Sequence, residues 1–184
     1  MHKVIPKIFY FIDKLNIDDI KNLNKNIAII YRNYENKPSQ EEIHKFQRFC
    51  KKQRIKFLIS NYFDIAQKYK LDGFYIPSFN KKIFLKKNFM NKNFILVGSA
   101  HNFKEIKIKE KQNVDLIFIS PLFKTKNKNQ NLGIIKFNNL SSLSKKPIIA
   151  LGGININNVK KLKMTYAYGF SGISHIKKIT ANKI

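Results

Sequence analysis

Residues 145–162 read KKPIIALGGININNVKKL. A continuous run of mainly branched apolar residues at 147–151 is followed by Gly152 and Gly153, and then by a polar segment in which Asn155 can cap a helix. Uninterrupted apolar runs of this length are typical of strands that are buried on both faces, as in parallel sheets covered by helices. The stretch therefore predicts a buried strand, a tight turn at the glycines and a helix that begins near Asn155.

The same strand-then-helix unit recurs on both sides of this stretch. The clearest helix is predicted for residues 39–53, where Ser39 can act as the N-cap and Glu42 can complete a capping box. About eight such units make a closed (β/α)8 barrel, whereas five or six would make an open, doubly wound sheet. The apolar runs lie at residues 7–13, 26–32, 55–60, 73–77, 94–100, 116–120, 147–151 and 169–174.

The length of the chain limits how complete such a barrel can be. At 184 residues the chain is shorter than the ~200 residues found at the low end for these barrels, so some helices must be short. Only residues 17–24 are available for a helix between the first two strands, and the chain ends about a dozen residues after Gly172. We predict an α/β fold, a compact (β/α)8 TIM barrel with shortened first and last helices, which forms a single domain over residues 1–184.

Composition limits the expected partners. The chain has 36 Lys and Arg against 11 Asp and Glu, a formal net charge of +25, but its lysines are spread over every segment. Nucleic-acid binding surfaces usually gather them into one stripe with exposed aromatics, so nucleic acid is not the expected partner. The single Cys50 excludes an internal disulfide, and no apolar run approaches the ~20 residues that span a bilayer. We expect a cytoplasmic protein without a membrane partner; the sequence gives no indication of its oligomeric state.

Several motifs together resemble those of a known family. Residues 118–134, 145–162 and 168–178 hold, in this order, a Pro-x-Phe-x-Thr loop, a strand that ends in Gly-Gly-Ile-Asn, and a late Gly-x-x-Gly strand. Residues 97–106 resemble that family's Gly-x-Ser-x-His strand end, and residues 26–35 resemble its Gln-Leu-Arg-Glu-Lys strand. The chain is thus similar to the thiamine-phosphate synthase and TenI family of (β/α)8 barrels.

The resemblance implies a transferase reaction at the barrel mouth. The ring nitrogen of a thiazole phosphate displaces diphosphate from hydroxymethylpyrimidine diphosphate and gives thiamine phosphate. By resemblance, Arg32 would grip the diphosphate, with Ser99 and Lys128 helping to bind it. Thr125 and Asn127 would meet the thiazole phosphate. Because negative charge develops on the leaving diphosphate, fixed cations lower the barrier and no protein nucleophile is required.

A phosphate cradle is expected at the last two strands. Gly152 and Gly153 expose backbone N–H groups at a strand end, where a helix N-terminus would add its dipole. The resemblance implies a second half of the cradle at Ile176 and Lys177, where Lys177 replaces a small polar residue of the family. Ser60 stands where the family carries the Asn of an Ile-Asn-Asp motif and is a further candidate for substrate binding.

The expected metal positions depart from the family. The resemblance implies Mg²⁺ held by one Asp after the third strand and another after the fourth. When the segments are matched to the family, these two positions are Asn61 and Asn80. An Asn oxygen carries no charge, so affinity for the free ion should fall. Either Mg²⁺ arrives already chelated by the diphosphate while lysines supply the charge balance, or the chain has lost the synthase reaction and kept the scaffold.

Two other functions stay open at this point. The related thiazole tautomerases need no metal, and the resemblance implies a His at position 101 as the acid/base that moves a proton on the carboxylated thiazole phosphate. An imidazole with an ordinary pKa of ~6.5 suits that step, although His101 held by backbone at a strand end would also serve a structural role. The third function is a catalytically silent barrel with a basic binding surface.

Overall fold

The computed structural model describes residues 4–23, 26–83, 93–125, 130–172 and 176. The strands are β1 (Ile8–Ile12), β2 (Ile27–Tyr31), β3 (Lys56–Ser60), β4 (Gly73–Ile76), β5 (Ile95–Ala100), β6 (Leu116–Ile119), β7 (Ile148–Leu151) and β8 (Gly169–Gly172). They form one closed barrel in chain order, and β8 pairs with β1 in parallel with Phe9 opposite Ser171. The predicted TIM barrel is confirmed, and every strand falls within a predicted run.

Helices on the outside of the barrel connect the strands. The α-helices are α1 (Gln40–Gln53), α2 (Phe63–Lys68), α3 (Phe103–Lys111) and α4 (Gly133–Ser142). Between β1 and β2 the described residues form only the 3-10 helix Ile17–Asp19, which confirms the shortened first helix. A 3-10 helix, Val159–Met164, connects β7 to β8. The predicted last helix lies outside the described residues, apart from Ile176, and no helix in the described ranges could cross a membrane.

Helix α1 begins where the sequence predicts it. The Ser39 hydroxyl accepts a hydrogen bond from the Glu42 N–H at 3.2 Å, and the Glu42 carboxylate accepts one from the Ser39 N–H at 2.8 Å. Ile43, Phe46 and Cys50 lie on the inner face of the helix and are buried. A reciprocal cap and an apolar stripe therefore fix the start of the helix and the face that packs on the barrel.

The interior of the barrel is a packed core. Side chains of alternate strand residues point inward, and four aromatic rings meet there edge to face with centroids between 5.0 and 5.8 Å apart: Phe9, Phe11, Tyr75 and Phe118. Edge-to-face pairs add roughly 0.5–1.5 kcal/mol each beyond the burial of their area. Because the centre of the barrel is filled, a site for substrates must lie at one end of the strands.

Candidate active site

The carboxyl ends of the strands carry polar side chains that face into the barrel. Leu58 of β3 and Val97 of β5 belong to the interior apolar cluster. Because strand side chains alternate between the two faces, Ser60 and Ser99, two residues further on, share that interior face. Both serines are buried. A polar layer therefore covers the apolar interior at the end where active sites of TIM barrels lie.

Arg32 reaches into this polar layer from the end of β2. Its guanidinium carbon lies 4.6 Å from the centre of the Phe11 ring, which belongs to the barrel interior. The backbone N–H of Arg32 donates to the carbonyl oxygen of Ile12 at 2.8 Å, so the β1–β2 ladder continues past the end of the strand. A cation over an aromatic face is stabilised by about 0.5–2 kcal/mol, and the guanidinium is thus oriented by the protein itself.

Tyr75 of β4 joins Arg32 and Ser99 in one cluster. Both residues are near enough to Tyr75 to favour its ionised form. Burial raises the pKa of Tyr75 to about 12 despite the opposing effect of these two partners, so the phenol keeps its proton at neutral pH. The motifs do not mark Tyr75. Its signal in the sequence is a polar-tipped aromatic residue at the last inward position of an otherwise apolar strand.

Ser60 lies directly beside this cluster, opposite Tyr75 in the β3–β4 register. Its side chain is fully buried, and its hydroxyl has no hydrogen-bond partner among the residues that the structure describes. A buried hydroxyl without a partner costs roughly 1–3 kcal/mol. The Ser60 hydroxyl is therefore a donor and acceptor that a ligand entering the mouth can satisfy.

His101 is held at the end of β5 by contacts with two residues, Ser120 and Glu105. Its ring Nδ1 lies 2.8 Å from the carbonyl oxygen of Ser120 and 3.3 Å from the Ser120 hydroxyl. The carbonyl can only accept, so Nδ1 carries the proton of the neutral ring and Nε2 is left as the acceptor. The backbone N–H of His101 donates to the Glu105 carboxylate at 2.8 Å. This geometry suits a base that acts through Nε2, and it equally suits a structural histidine.

The loop after β6 packs on the turn after β7. Gly152 and Gly153 have φ angles of 96° and 70°, which favour glycine. A Cβ atom at Gly152 would lie 2.8 Å from Cβ of Pro121, and one at Gly153 would lie 2.5 Å from the carbonyl oxygen of Phe123. The loop and the glycine turn are therefore one assembly. It also carries Thr125, which is half-buried.

Asn155 does not begin the α-helix that the sequence predicts. Its side-chain oxygen accepts from the N–H of Asn157 at 2.9 Å, and its own N–H donates to the side-chain oxygen of Asn158 at 2.9 Å. Asn158 also donates to the carbonyl oxygen of Gly153 at 2.8 Å. Such Asn contacts form local turns that compete with a helix, which starts only at Val159 and is of the 3-10 type. This half of the predicted phosphate cradle would therefore rest on the glycine turn, without a helix that begins at Asn155.

The rest of the predicted phosphate-binding set is only partly within the described residues. Ile176 is buried and packs on the end of β8, where a Cβ atom at Gly172 would lie 3.1 Å from Cγ1 of Ile176. Asn127, Lys128 and Lys177 lie outside the described residues. Their contacts with a phosphate or diphosphate stay predictions.

The two positions expected to hold Mg²⁺ bring no carboxylate to the rim of the barrel. Asn61 is exposed, with a left-handed φ of 67°. The side-chain oxygen of Asn80 accepts from the N–H of Lys82 at 2.9 Å, and its carbonyl oxygen accepts from Lys109 and Gln112, each at 2.9 Å. Across the described ranges, no group of three or more His, Cys, Asp or Glu could hold a metal ion. These residues do not fit a protein-bound Mg²⁺, which is normally held by carboxylates.

The loops after β2 and β4 meet above the polar layer. Tyr34 and Phe79 are exposed and pack edge to face, with ring centroids 5.8 Å apart. Tyr34 is near enough to Tyr75 to contribute to its raised pKa. The aromatic pair therefore borders the cluster of Arg32, Tyr75 and Ser99 and gives the mouth one apolar edge.

Comparisons with known proteins indicate which family the chain resembles in sequence. A family model described as thiamine monophosphate synthase matches residues 22–179. A putative thiamine-phosphate synthase 2 of Aquifex aeolicus is 34% identical over 129 residues, which cover 67% of this chain and 67% of that protein. A thiamine-phosphate synthase of Methanococcus vannielii is 33% identical over 132 residues, which cover 70% of this chain and 62% of that protein.

Solved structures share the barrel. The thiamine phosphate pyrophosphorylase from Pyrococcus furiosus has a TM-score of 0.68 and 17% identity, with 95% of this chain and 91% of that chain covered. A native KDPGal structure has a TM-score of 0.66 and 10% identity over 95% of this chain and 89% of its own. Two differently described proteins thus have similar TM-scores to this chain, so the structural similarity shows the fold alone.

Proposed function

Because this chain belongs to the thiamine monophosphate synthase family, we propose that it joins hydroxymethylpyrimidine diphosphate to thiazole phosphate and releases diphosphate, a transferase step of thiamine biosynthesis. The observation that carries the proposal is the convergence of Arg32, Tyr75 and Ser99 at the barrel mouth. The proposal treats residues 1–184 as one catalytic domain.

In this reaction the cluster of Arg32, Tyr75 and Ser99 would stabilise the diphosphate leaving group. The thiazole ring nitrogen forms a bond to the pyrimidine methylene carbon, and the bond from that carbon to oxygen breaks with its electron pair passing to the diphosphate. The Arg32 guanidinium and the protonated Tyr75 hydroxyl are donors for the oxygens on which negative charge grows. Because contacts within the protein already orient Arg32, little rearrangement is needed at the moment of reaction.

The thiazole phosphate would bind at the assembly of Gly152, Gly153 and the loop that carries Thr125. Backbone N–H groups of a glycine turn suit a phosphate because no side chain keeps it away. This assembly and the Arg32 cluster lie at the same end of the barrel, at the ends of different strands. Two anion subsites on one rim would hold the two substrates with their reacting atoms facing each other.

In the proposed reaction, a metal ion would come to the site only together with the substrate. Thiamine-phosphate synthases are generally Mg²⁺-dependent. Since Asn61 and Asn80 do not fit a protein-bound ion, we propose that any Mg²⁺ taking part arrives chelated by the diphosphate. The contribution of the protein is then its own fixed positive charge.

A thiazole tautomerase is the second candidate, and His101 is the observation that favours it. The contact of Nδ1 with the carbonyl oxygen of Ser120 leaves Nε2 able to take a proton. The chemistry would be a proton moved on the carboxylated thiazole phosphate, without bond formation to a pyrimidine. This reaction needs no metal, which fits the neutral side chains at positions 61 and 80.

One assay separates these functions. We expect thiamine phosphate to form from the two phosphorylated precursors with Mg²⁺ present, and we expect Arg32→Ala to lower kcat/KM by at least about 100-fold. The exposed Arg48 of α1 supplies the matched control, and Arg48→Ala should leave the kinetics unchanged. Unchanged synthase kinetics in Arg32→Ala would contradict the proposed site. Isomerisation of the carboxylated thiazole phosphate, without formation of thiamine phosphate, would favour the tautomerase. If the protein catalysed neither reaction, a catalytically silent barrel would be favoured.

A further inference from the structure

Lys109 of α3 is a completely buried lysine. Its ammonium group donates to the carbonyl oxygens of Pro77 at 2.7 Å and Asn80 at 2.9 Å, and to the side-chain oxygen of Gln112 at 2.9 Å. Three acceptor oxygens require three protons, which an ammonium has and a neutral amine lacks. The geometry therefore favours the charged form, although burial lowers the pKa of Lys109 to about 8.

The sheet makes room for this side chain at one point. A Cβ atom at Gly98 of β5 would lie 2.7 Å from Cδ of Lys109 and 3.4 Å from its Cγ. The stem of Lys109 thus passes directly over Gly98 and carries its charge to the carboxyl end of the barrel. Any larger residue at position 98 would displace it.

Gln112 completes the anchor. It is buried, and its side-chain nitrogen donates to the carbonyl oxygens of Asn80 at 2.9 Å and Lys82 at 2.7 Å. Together with Lys109 it ties α3 to the loop after β4 at three carbonyl groups of that loop. This is the loop that carries the position expected to ligate Mg²⁺.

The charge around Lys109 is only partly balanced. All three of its hydrogen-bond acceptors are neutral. Glu105 is an acidic group whose charge favours the ammonium, but its carboxylate already accepts from the His101 N–H and the Asn102 side chain. Because the ammonium is the charged group that hydrogen-bonds to the loop, a positive potential is expected there, where a carboxylate with a bound cation would otherwise stand.

We propose that Lys109 takes the place of a protein-bound Mg²⁺ at this rim, because it anchors the loop that bears Asn80 and holds one fixed positive charge against it. The ammonium repels a free divalent cation and attracts the anionic end of a substrate. The inference rests on the proposed function only for the identity of that anion, namely a diphosphate.

A calorimetric titration with MgCl₂ alone tests the repulsion. We expect no Mg²⁺ binding to the wild type or to Asn80→Asp at millimolar concentration. We expect Asn80→Asp combined with Lys109→Met to bind Mg²⁺ at least about tenfold more tightly than Asn80→Asp, the order expected for removing one nearby charge at an effective dielectric of ~20. Equal affinities in these two variants, or Mg²⁺ binding to the wild type, would overturn the inference.

A titration with inorganic diphosphate in the presence of a chelator tests the attraction. The wild type should bind diphosphate without Mg²⁺, and Lys109→Met should weaken this binding about tenfold. The exposed Lys111 on the same helix is the control, and Lys111→Met should bind as the wild type does. Wild-type binding that requires Mg²⁺ would overturn the inference.

Folding and turnover do not confound these measurements. If Lys109→Met does not fold, Asn80→Asp still keeps the buried lysine, and millimolar Mg²⁺ binding to this variant would overturn the inference. Neither titration needs catalysis. A protein that makes no thiamine phosphate yet shows the expected titrations would contradict the proposed function and leave the inference standing.

Discussion

Arg32 and Phe11 form a cation–π contact across the first two strands, with the guanidinium carbon 4.6 Å from the ring centre. The register pairs Phe11 with Ile30, so Arg32, two residues beyond Ile30, lies diagonally above the ring. The guanidinium carbon lies over the ring, and the planar group carries the N–H donors that suit oxygen ligands. The barrel core thus orients the cation that the proposed reaction requires.

Replacing this cation by lysine should damage the site although the charge is kept. We expect Arg32→Lys to weaken binding of inorganic diphosphate at least about tenfold, since lysine cannot offer two parallel N–H donors from one rigid plane. Calorimetry on the wild type, Arg32→Lys and the exposed control Arg48→Lys measures the effect. Equal diphosphate affinity in all three proteins would show that Arg32 does not contact the anion.

Two costs of replacing Gly153 can be measured separately: overlap with the loop after β6, and strain from its positive φ angle. Gly133 also has a positive φ, 65°, but a Cβ atom there would meet nothing within 4 Å. We expect Gly133→Ala to lower the free energy of unfolding by about 1 kcal/mol from strain alone. Gly153→Ala adds overlap with Phe123 and should cost at least about 3 kcal/mol. Urea unfolding measures both, and equal losses would contradict the close approach.

The cap of α1 should make stability depend on pH. Hydrogen bonds from the backbone and side chain of Ser39 hold the pKa of Glu42 below its ordinary value of 4.5. A group with a lowered folded-state pKa stabilises the protein above its unfolded-state pKa, and this contribution is lost as the pH falls through the folded-state pKa. Ser39→Ala should cost about 1 kcal/mol at pH 7 and less below pH 4.

Urea unfolding at pH 7 and at pH 3 checks this prediction. Glu41→Gln, at the neighbouring exposed position, keeps the capping box and serves as the control. A loss in Ser39→Ala that is the same at both pH values would show that the Glu42 carboxylate plays no part.

The strands were predictable from sequence because each is a local signal. A strand buried on both faces must be apolar along its whole length, and eight such runs appear in the sequence without reference to any contact. The connection after β7 was not predictable in the same way. Asn155, Asn157 and Asn158 have the composition of a cap, but their mutual hydrogen bonds form a turn that a helical pattern does not reveal.

The candidate site was predictable only where a motif marks it. Arg32, Ser99 and the paired glycines stand in motifs, whereas Tyr75 and Lys109 acquire their roles from distant parts of the chain. The sequence contains 36 basic residues, and Lys109 is one of them. It stands in a helix made mostly of charged residues, so nothing in the sequence distinguishes it. Its burial depends on the absence of a side chain at Gly98, and such a steric match between a helix and a strand has no local signature.

The two buried serines of the polar layer should respond oppositely to loss of the hydroxyl. Ser99 is near enough to Tyr75 to influence its pKa, so Ser99→Ala, which removes this polar interaction, should lower the free energy of unfolding by about 1 kcal/mol. In the structure as described, the Ser60 hydroxyl has no partner, so Ser60→Ala should raise that free energy by about 1 kcal/mol. Because this hydroxyl is then available only to a ligand, Ser60→Ala should also weaken binding of diphosphate or thiazole phosphate. Urea unfolding and calorimetry measure the two effects, and a Ser60→Ala protein that is less stable than the wild type would show that the hydroxyl is already satisfied within the protein.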